Sequence, residues 1–256
     1  MTRVLPRTNF HSSELIRCLA DLAIVDSVEP ENAFAEKLGL WIHFTDAITL
    51  SAVHGEGIAS SSNKQPQTRS VTRTDLGIEF DRIQAFLVNS IRKSCSPASG
   101  KTHIALPTPK LELPIDLAAA YVPYRRFYEA HQRDMELGIQ PLRVNVREAL
   151  AQASPALKKL AELDAALEKI LRDREAKLLP KLPVLLKKRF EHLFKAHQQL
   201  LVDTQQADDP ASWTQAGGWL ARFCNDMQML LLAELELRLQ PTLGLIEAFN
   251  SKICNE

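Results

Sequence analysis

Glycine and aromatic residues are scarce in this chain, with nine glycines and an aromatic share of 6% among 256 residues. Sheets draw on β-branched and aromatic side chains and on glycine-rich turns. A sequence rich in Leu and Ala instead is expected to be all-α. Cysteine is thin as well. Cys18, Cys95, Cys224 and Cys254 form no C-x-x-C pair, which removes the usual zinc and redox spacings and leaves free, mostly buried thiols as the expectation. Neither charge is in excess: 31 basic and 31 acidic residues cancel, so the protein as a whole exerts no net attraction on nucleic acid or anionic lipid. Long apolar runs are missing too. The best stretch, 227–239, is cut by Glu234, Glu236 and Arg238, short of the roughly 18 apolar residues of a membrane span. The opening MTRVLPRTNFHSS lacks the apolar core of a secretory signal. The expectation is a cytoplasmic protein, not inserted in a membrane, with no cofactor and no metal.

What the sequence has in quantity is helical periodicity. Between Leu157 and Leu201, the residues Leu157, Leu160, Leu163, Leu167, Ile170 and Leu171 recur at steps of three and four, the stripe of a helix that packs on another helix. Such a stripe is satisfied within the chain or by a second copy, so a homo-oligomer stays open. Ser154–Pro155 suits the start, because serine caps and proline is tolerated in the first turn. Pro180 and Pro183 each cost about 3 kcal/mol in a helix interior. Two arms are therefore expected, with a break between Leu179 and Val184. The second arm carries Leu185, Leu186, Phe190, Leu193, Phe194 and Leu201.

Ahead of this stretch, Ser12 or Ser13 can cap a helix that ends near Asp26, and Pro30 suits the first turn of a second helix. That second helix bears Phe34, Leu38, Trp41, Thr45 and Ile48, so an N-terminal helical hairpin is expected, with Asp46 in a structural role. Residues 56–74 have no apolar run and read as a mobile loop. Asp75 can cap a third helix carrying Leu76, Ile83, Phe86, Leu87 and Ile91, and Pro97, Pro107, Pro109 and Pro114 mark an extended connector. Gly100-Lys101-Thr102 is not a phosphate loop, because Cys95 stands where that motif needs its first glycine. A fourth helix, from Asp116 or Pro123, is expected to stop at Gly138 and restart at Pro141. A last one, apolar nearly all round from Met227 to Leu232, should be deeply buried and end at Pro241. The expected organisation is a helical region 1–95 with loop 56–74, a Pro-rich connector 96–114 and a helical bundle 115–256. The expected fold is a multi-helix bundle with long antiparallel C-terminal helices.

Charge is balanced overall but not locally. From Arg172 to His197 there are eight Lys or Arg against three acids, and from Asp203 onward eight acids against three bases. Blocks of opposite sign in a neutral chain imply contact between them, or a face offered to a partner. The candidate partner-binding residues are Arg172, Lys177, Lys181, Lys187, Lys188, Arg189 and Lys195. Arg125, Arg126 and Tyr128 form a secondary basic and aromatic patch, although Glu129, Asp134 and Glu136 can pair with those arginines along a helix. A protein partner is the first reading. Nucleic acid, bound through segment 172–195, is the second.

Catalysis finds little footing. The seven histidines have no signature neighbours, and Glu191-His192 and Glu129-Ala130-His131 miss the Glu-x-x-His spacing of di-iron bundles. Glu234 and Glu236, two apart on a helix, point to different faces. No catalytic residue is assigned.

Several blocks carry a resemblance. They are Trp41 with Phe44-Thr45-Asp46-Ala47-Ile48, Gln132-Arg133-Asp134-Met135-Glu136, Leu142-Arg143, Leu160-Ala161-Glu162-Leu163-Asp164, Arg189-Phe190-Glu191, and the run from Ala233 to Pro241. In that order they resemble a proteobacterial family, a domain of unknown function, over nearly the whole chain. The resemblance brings no activity. Because genes of such proteins neighbour those of motor-stator-like and OmpA-like envelope proteins, it implies a cytoplasmic accessory of a membrane complex, with the cytoplasmic part of that complex as partner.

Overall fold

The computed structural model describes residues 13–22, 42–55, 73–96, 102–109 and 115–253. They form α1 (Glu14–Asp21), α2 (Phe44–Gly55), α3 (Arg73–Cys95), α4 (Leu117–Ala153), α5 (Pro155–Leu178), α6 (Leu182–Thr204) and α7 (Trp219–Ile253), and there is no strand among them. The all-α expectation holds. The first half of the second arm of the expected N-terminal hairpin, from Pro30 to Trp41, lies outside the described residues, and its second half falls on α2. The expected loop 56–74 also lies outside them, except that Arg73 and Thr74 already belong to α3.

The proline punctuation is obeyed in one place and overridden in three. Leu179–Lys181 is a single 3₁₀ turn between α5 and α6, where Pro180 and Pro183 call for a break. Ser154 caps α5 as its sequence suggests, its hydroxyl accepting from the Leu157 N–H at 3.3 Å. By contrast α4 runs without interruption through Pro123, Gly138 and Pro141, and α7 runs through Pro241. The stops expected at Gly138 and Pro241 are not there. Each proline deprives the carbonyl four residues earlier of its donor. Those carbonyls belong to Ala119, Leu137 and Leu237, all exposed residues. Water can take the missing donor's place, so a solvent-facing proline is tolerated where a buried one would not be. Gly138 has a packing role instead. A Cβ there would lie 3.6 Å from a Leu87 methyl, so α4 approaches α3 closely at this turn.

The chain divides into two compact units, neither a continuous stretch of sequence. One draws on residues within 1–30, 88–134 and 180–237, the other on residues within 31–87, 135–179 and 238–256. In the first unit α6 and the start of α7 lie antiparallel, as expected of the C-terminal helices. Phe190 and Phe223 meet edge to face at 4.9 Å, with Tyr121 and Tyr124 of α4 closing the cluster at 5.5–6.2 Å. Leu182, Pro183, Leu186, Phe190, Leu193 and Phe194 are the buried face of α6. The Tyr121 hydroxyl donates to the Pro183 carbonyl and fixes α4 to the start of α6. Met227, Leu230 and Leu231 of α7 are fully enclosed, the deep burial that their all-round apolarity implies.

The second unit is held differently. Here α3 and α4 run antiparallel, Asn145 donating to Glu79 at 3.3 Å one end of the pairing and Gly138 meeting Leu87 further along. α2 packs on α5, and the Asp46 carboxylate accepts from the His43 N–H at 3.1 Å, half of a capping box at the start of α2. The leucine stripe of α5 is half-buried: Leu157, Ala161 and Ala166 are enclosed, while Leu160, Leu163, Leu167 and Leu171 keep partial exposure.

Candidate functional site

α6 turns its candidate residues in different directions because each residue advances about 100° around the axis. Lys188 and Lys195, with Lys181 of the preceding 3₁₀ turn at the same seven-residue spacing, are exposed, as are Val184 and His192, and lie away from the buried face. No carboxylate pairs with these three lysines among the described residues. Lys187 is tied to Glu191 at 3.6 Å along the helix. Arg189 is turned inward, and its Nε donates to Asp226 of α7 at 2.8 Å with both side chains about nine-tenths buried. Arg189 therefore leaves the candidate surface, since its charge is spent inside the molecule. In the second unit Lys177 is exposed, and Arg172 stands 3.7 Å from Glu168.

The secondary patch divides in the same way. Tyr128 has no accessible surface, and its hydroxyl donates to Glu234 at 2.8 Å. It is a core residue and cannot stack on a ligand, so it too is withdrawn. Arg125 is held by Glu129 at 2.7 Å, the i,i+4 pairing its sequence suggests. Arg126 remains. It lines an open groove of about 480 Å³ between residues 103–107 and α4, together with Arg133, Asp134, Phe127, Pro123 and Pro107. The described part of the expected connector, 102–109, has no helix, and Thr102 closes its first turn by donating to the Ile104 carbonyl at 2.7 Å.

Three polar arrangements lie deeper. Glu234, fully enclosed, accepts from Tyr128 and from the Gln132 amide at 3.0 and 3.1 Å, whereas Glu236 two residues on is exposed. In the second unit Asp164 of α5 accepts two hydrogen bonds from Arg143, at 3.0 and 2.6 Å, and one from Arg147 at 2.7 Å. Arg147 also reaches Glu168 at 2.6 Å. Burial works against the charged form of Glu168, but hydrogen bonds from Arg147 and Gln140 outweigh it and hold the carboxyl below the usual range.

The third arrangement joins Ser94 and His131, 37 residues apart, at 2.9 Å. No spacing rule could have found this pair. A serine beside a histidine invites a nucleophilic reading, but the pair is enclosed and the serine has a second acceptor. The Ile91 carbonyl, also 2.9 Å from the Ser94 hydroxyl, competes as acceptor for its single proton, which works against handing that proton to His131. Burial pushes His131 down to about pH 4 and keeps the ring neutral, with Phe127 packed edge-on at 4.8 Å. The thiols Cys18 and Cys95 are pushed up to about 11, and Cys224 to about 12, in each case chiefly by burial. They are free and poorly nucleophilic near neutrality.

Comparison with known proteins adds one relationship. No curated protein and no solved structure matches this chain. Four of the blocks that carry the family resemblance meet in pairs. Gln132 reaches Glu234, Arg143 reaches Asp164, and Arg189 brings its block to α7 through Asp226. The family described as "Protein of unknown function (DUF3348)" matches residues 1–251, and the chain belongs to it.

Proposed function

We propose that this protein is a non-enzymatic helical scaffold or adaptor, a bacterial cytoplasmic accessory of a cell-envelope complex. It docks a protein partner on the outward face of α6. The observation that supports this reading is the row Lys181, Lys188 and Lys195, exposed and without carboxylate partners among the described residues. The positions repeat at about 10 Å along the helix. A basic row over a packed apolar face suits a negatively charged partner surface, with the cytoplasmic part of a membrane protein as the partner.

The test is affinity capture from the native host with the full chain as bait, beside the K181E/K188E/K195E variant. These side chains are solvent-facing, so the variant keeps its helicity and melting temperature. One defined acidic partner, captured by the natural protein and lost with the variant, is the expected result. Equal capture by both removes α6 from the reading. Stoichiometric iron or zinc in the purified protein would overturn the non-enzymatic part.

The same unpaired row favours a second reading, in which the lysines neutralise phosphates of a nucleic acid. Titrating labelled duplex and single-stranded DNA across a salt series separates the two. The adaptor reading loses if binding is tight at physiological salt, with a log–log slope near −3, about one per lysine in the row.

A further inference from the structure

We infer that the groove between residues 103–107 and α4 receives an extended, acidic, proline-containing segment of a partner protein. Arg126 and Arg133 each take a carboxylate, and the segment's apolar residues lie over Pro123 and Pro107. The inference rests on the adaptor reading but uses a surface separate from the α6 row.

Electrostatics come first. Arg126 and Arg133 stand two turns apart on the same side of α4, and both are exposed. Neither has a carboxylate partner among the described residues. Glu129, three residues from Arg126 and four from Arg133, is committed to Arg125 at 2.7 Å. Asp134 also lines the groove, and its single negative charge opposes an acidic ligand less than the two guanidinium groups favour one. Arginine presents a planar fork that matches a carboxylate in two-point fashion.

Shape then chooses among anions. The groove is open and bordered by Pro123 of α4 and Pro107 of segment 103–107, with Phe127 almost wholly buried behind them. Aromatic and proline-lined grooves suit polyproline II segments, which lose little entropy on docking because they are already extended. In that conformation residues three apart share a side and lie about 9 Å apart. The two arginine positions are about 10 Å apart along the helix. Glutamates three residues apart in such a segment therefore reach both guanidinium groups at once.

The probe is a fluorescein-labelled synthetic peptide of leucine and proline with two glutamates three residues apart, titrated with the full protein and followed by anisotropy. Saturable binding is expected. It weakens at least tenfold in R126E/R133E and is unchanged in K181E/K188E/K195E. A peptide with both glutamates replaced by glutamine should bind at least tenfold more weakly. Circular dichroism confirms that the variants, altered only at exposed positions, keep the fold. The inference is overturned if there is no saturable binding, if R126E/R133E binds as the natural protein does, or if single-stranded DNA of equal charge competes more strongly than the peptide. Peptide binding lost only in the α6 variant also overturns it while leaving the α6 reading standing. Peptide binding that survives alongside failed partner capture by α6 retires the α6 reading and keeps the groove.

Discussion

Arg189 donates to Asp226 across 2.8 Å, joining the centre of the most basic run in the sequence to a carboxylate in the acid-rich stretch from Asp203 onward. Lys187 and Lys188 precede it directly, yet one pairs along the surface with Glu191 and the other faces solvent. A single short cluster of charge is thus divided by helix phase into an internal clamp, a surface pair and an open cation. The opposite-sign blocks do touch, but only through the residue whose phase points inward.

This clamp is expected to matter for stability out of proportion to its size. Removing one member leaves the other charge enclosed and unpaired, which costs about 3 kcal/mol. D226L should therefore unfold at markedly lower urea. Adding R189M to D226L should recover most of the loss, because an apolar pair of similar volume needs no desolvation compensation. Urea titration of the two singles and the double measures the coupling. Strictly additive losses would show that the two side chains act independently.

Tyr128 gives a second prediction. Its hydroxyl is bound to the enclosed Glu234 carboxylate, so Y128F removes one donor from a buried acceptor and costs about 1–3 kcal/mol. The same variant should leave binding at the Arg126 groove and at the α6 row unchanged. A Y128F protein of natural stability with weakened binding would return Tyr128 to the surface patch from which burial removes it.

Acid should weaken the protein through His131. The unfolded chain takes up a proton near pH 6.5, which the folded protein does not accept until about pH 4. Between these values the unfolded state binds more protons, so stability falls as pH drops through the window and is fully present above it. The loss attributable to this ring is at most about 3 kcal/mol. Glu168 adds to it in the same direction, since its depressed pKa contributes stability above the ordinary carboxylate range that is lost as pH falls below it. H131N should flatten the slope between about pH 6.5 and pH 4 and leave the lower-pH loss in place. Equal slopes in urea midpoints for both proteins would assign the acid sensitivity elsewhere.

Local chemistry was legible in the sequence wherever one residue decides the outcome alone. Ser154 caps, Pro180 and Pro183 break the long arm, and the α6 core positions follow from spacing. The stops expected at Gly138 and Pro241 were illegible because what spares those helices is not local. Gly138 is fixed by Leu87 on another helix, and Pro241 is spared by the exposure of Leu237. The same limit applies to function. Composition identified a basic run, but only packing separates Arg189, which is consumed inside, from Lys188, which is not. Ser94 and His131 met without any signal, because their contact comes from two helices lying side by side.

The connection between α6 and α7 yields the most demanding prediction. Gln205 ends α6 in the left-handed region at φ 53°, and Asp209 caps a short 3₁₀ turn, Pro210–Ser212, through the Ala211 N–H at 3.0 Å. Trp213 then buries its ring, donating from Nε1 to Asp208 at 2.8 Å, on the same oxygen that His197 contacts at 2.9 Å. The Trp213 carbonyl accepts from the Leu220 and Ala221 N–H groups at 3.1 and 3.0 Å and so caps α7. A Cβ on Gly218 would lie 2.3 Å from that carbonyl oxygen and 2.4 Å from the Ser212 oxygen. Both are backbone atoms that cannot turn aside as a side chain would. G218A should displace the cap, cost on the order of 2–4 kcal/mol, and change tryptophan emission as Trp213 is uncovered. G217A meets open space but keeps a φ of +88°, so its cost is the left-handed strain alone, about 1–2 kcal/mol. The order G218A worse than G217A, read from thermal unfolding followed by fluorescence, checks that the backbone clash and not loss of glycine freedom makes Gly218 necessary.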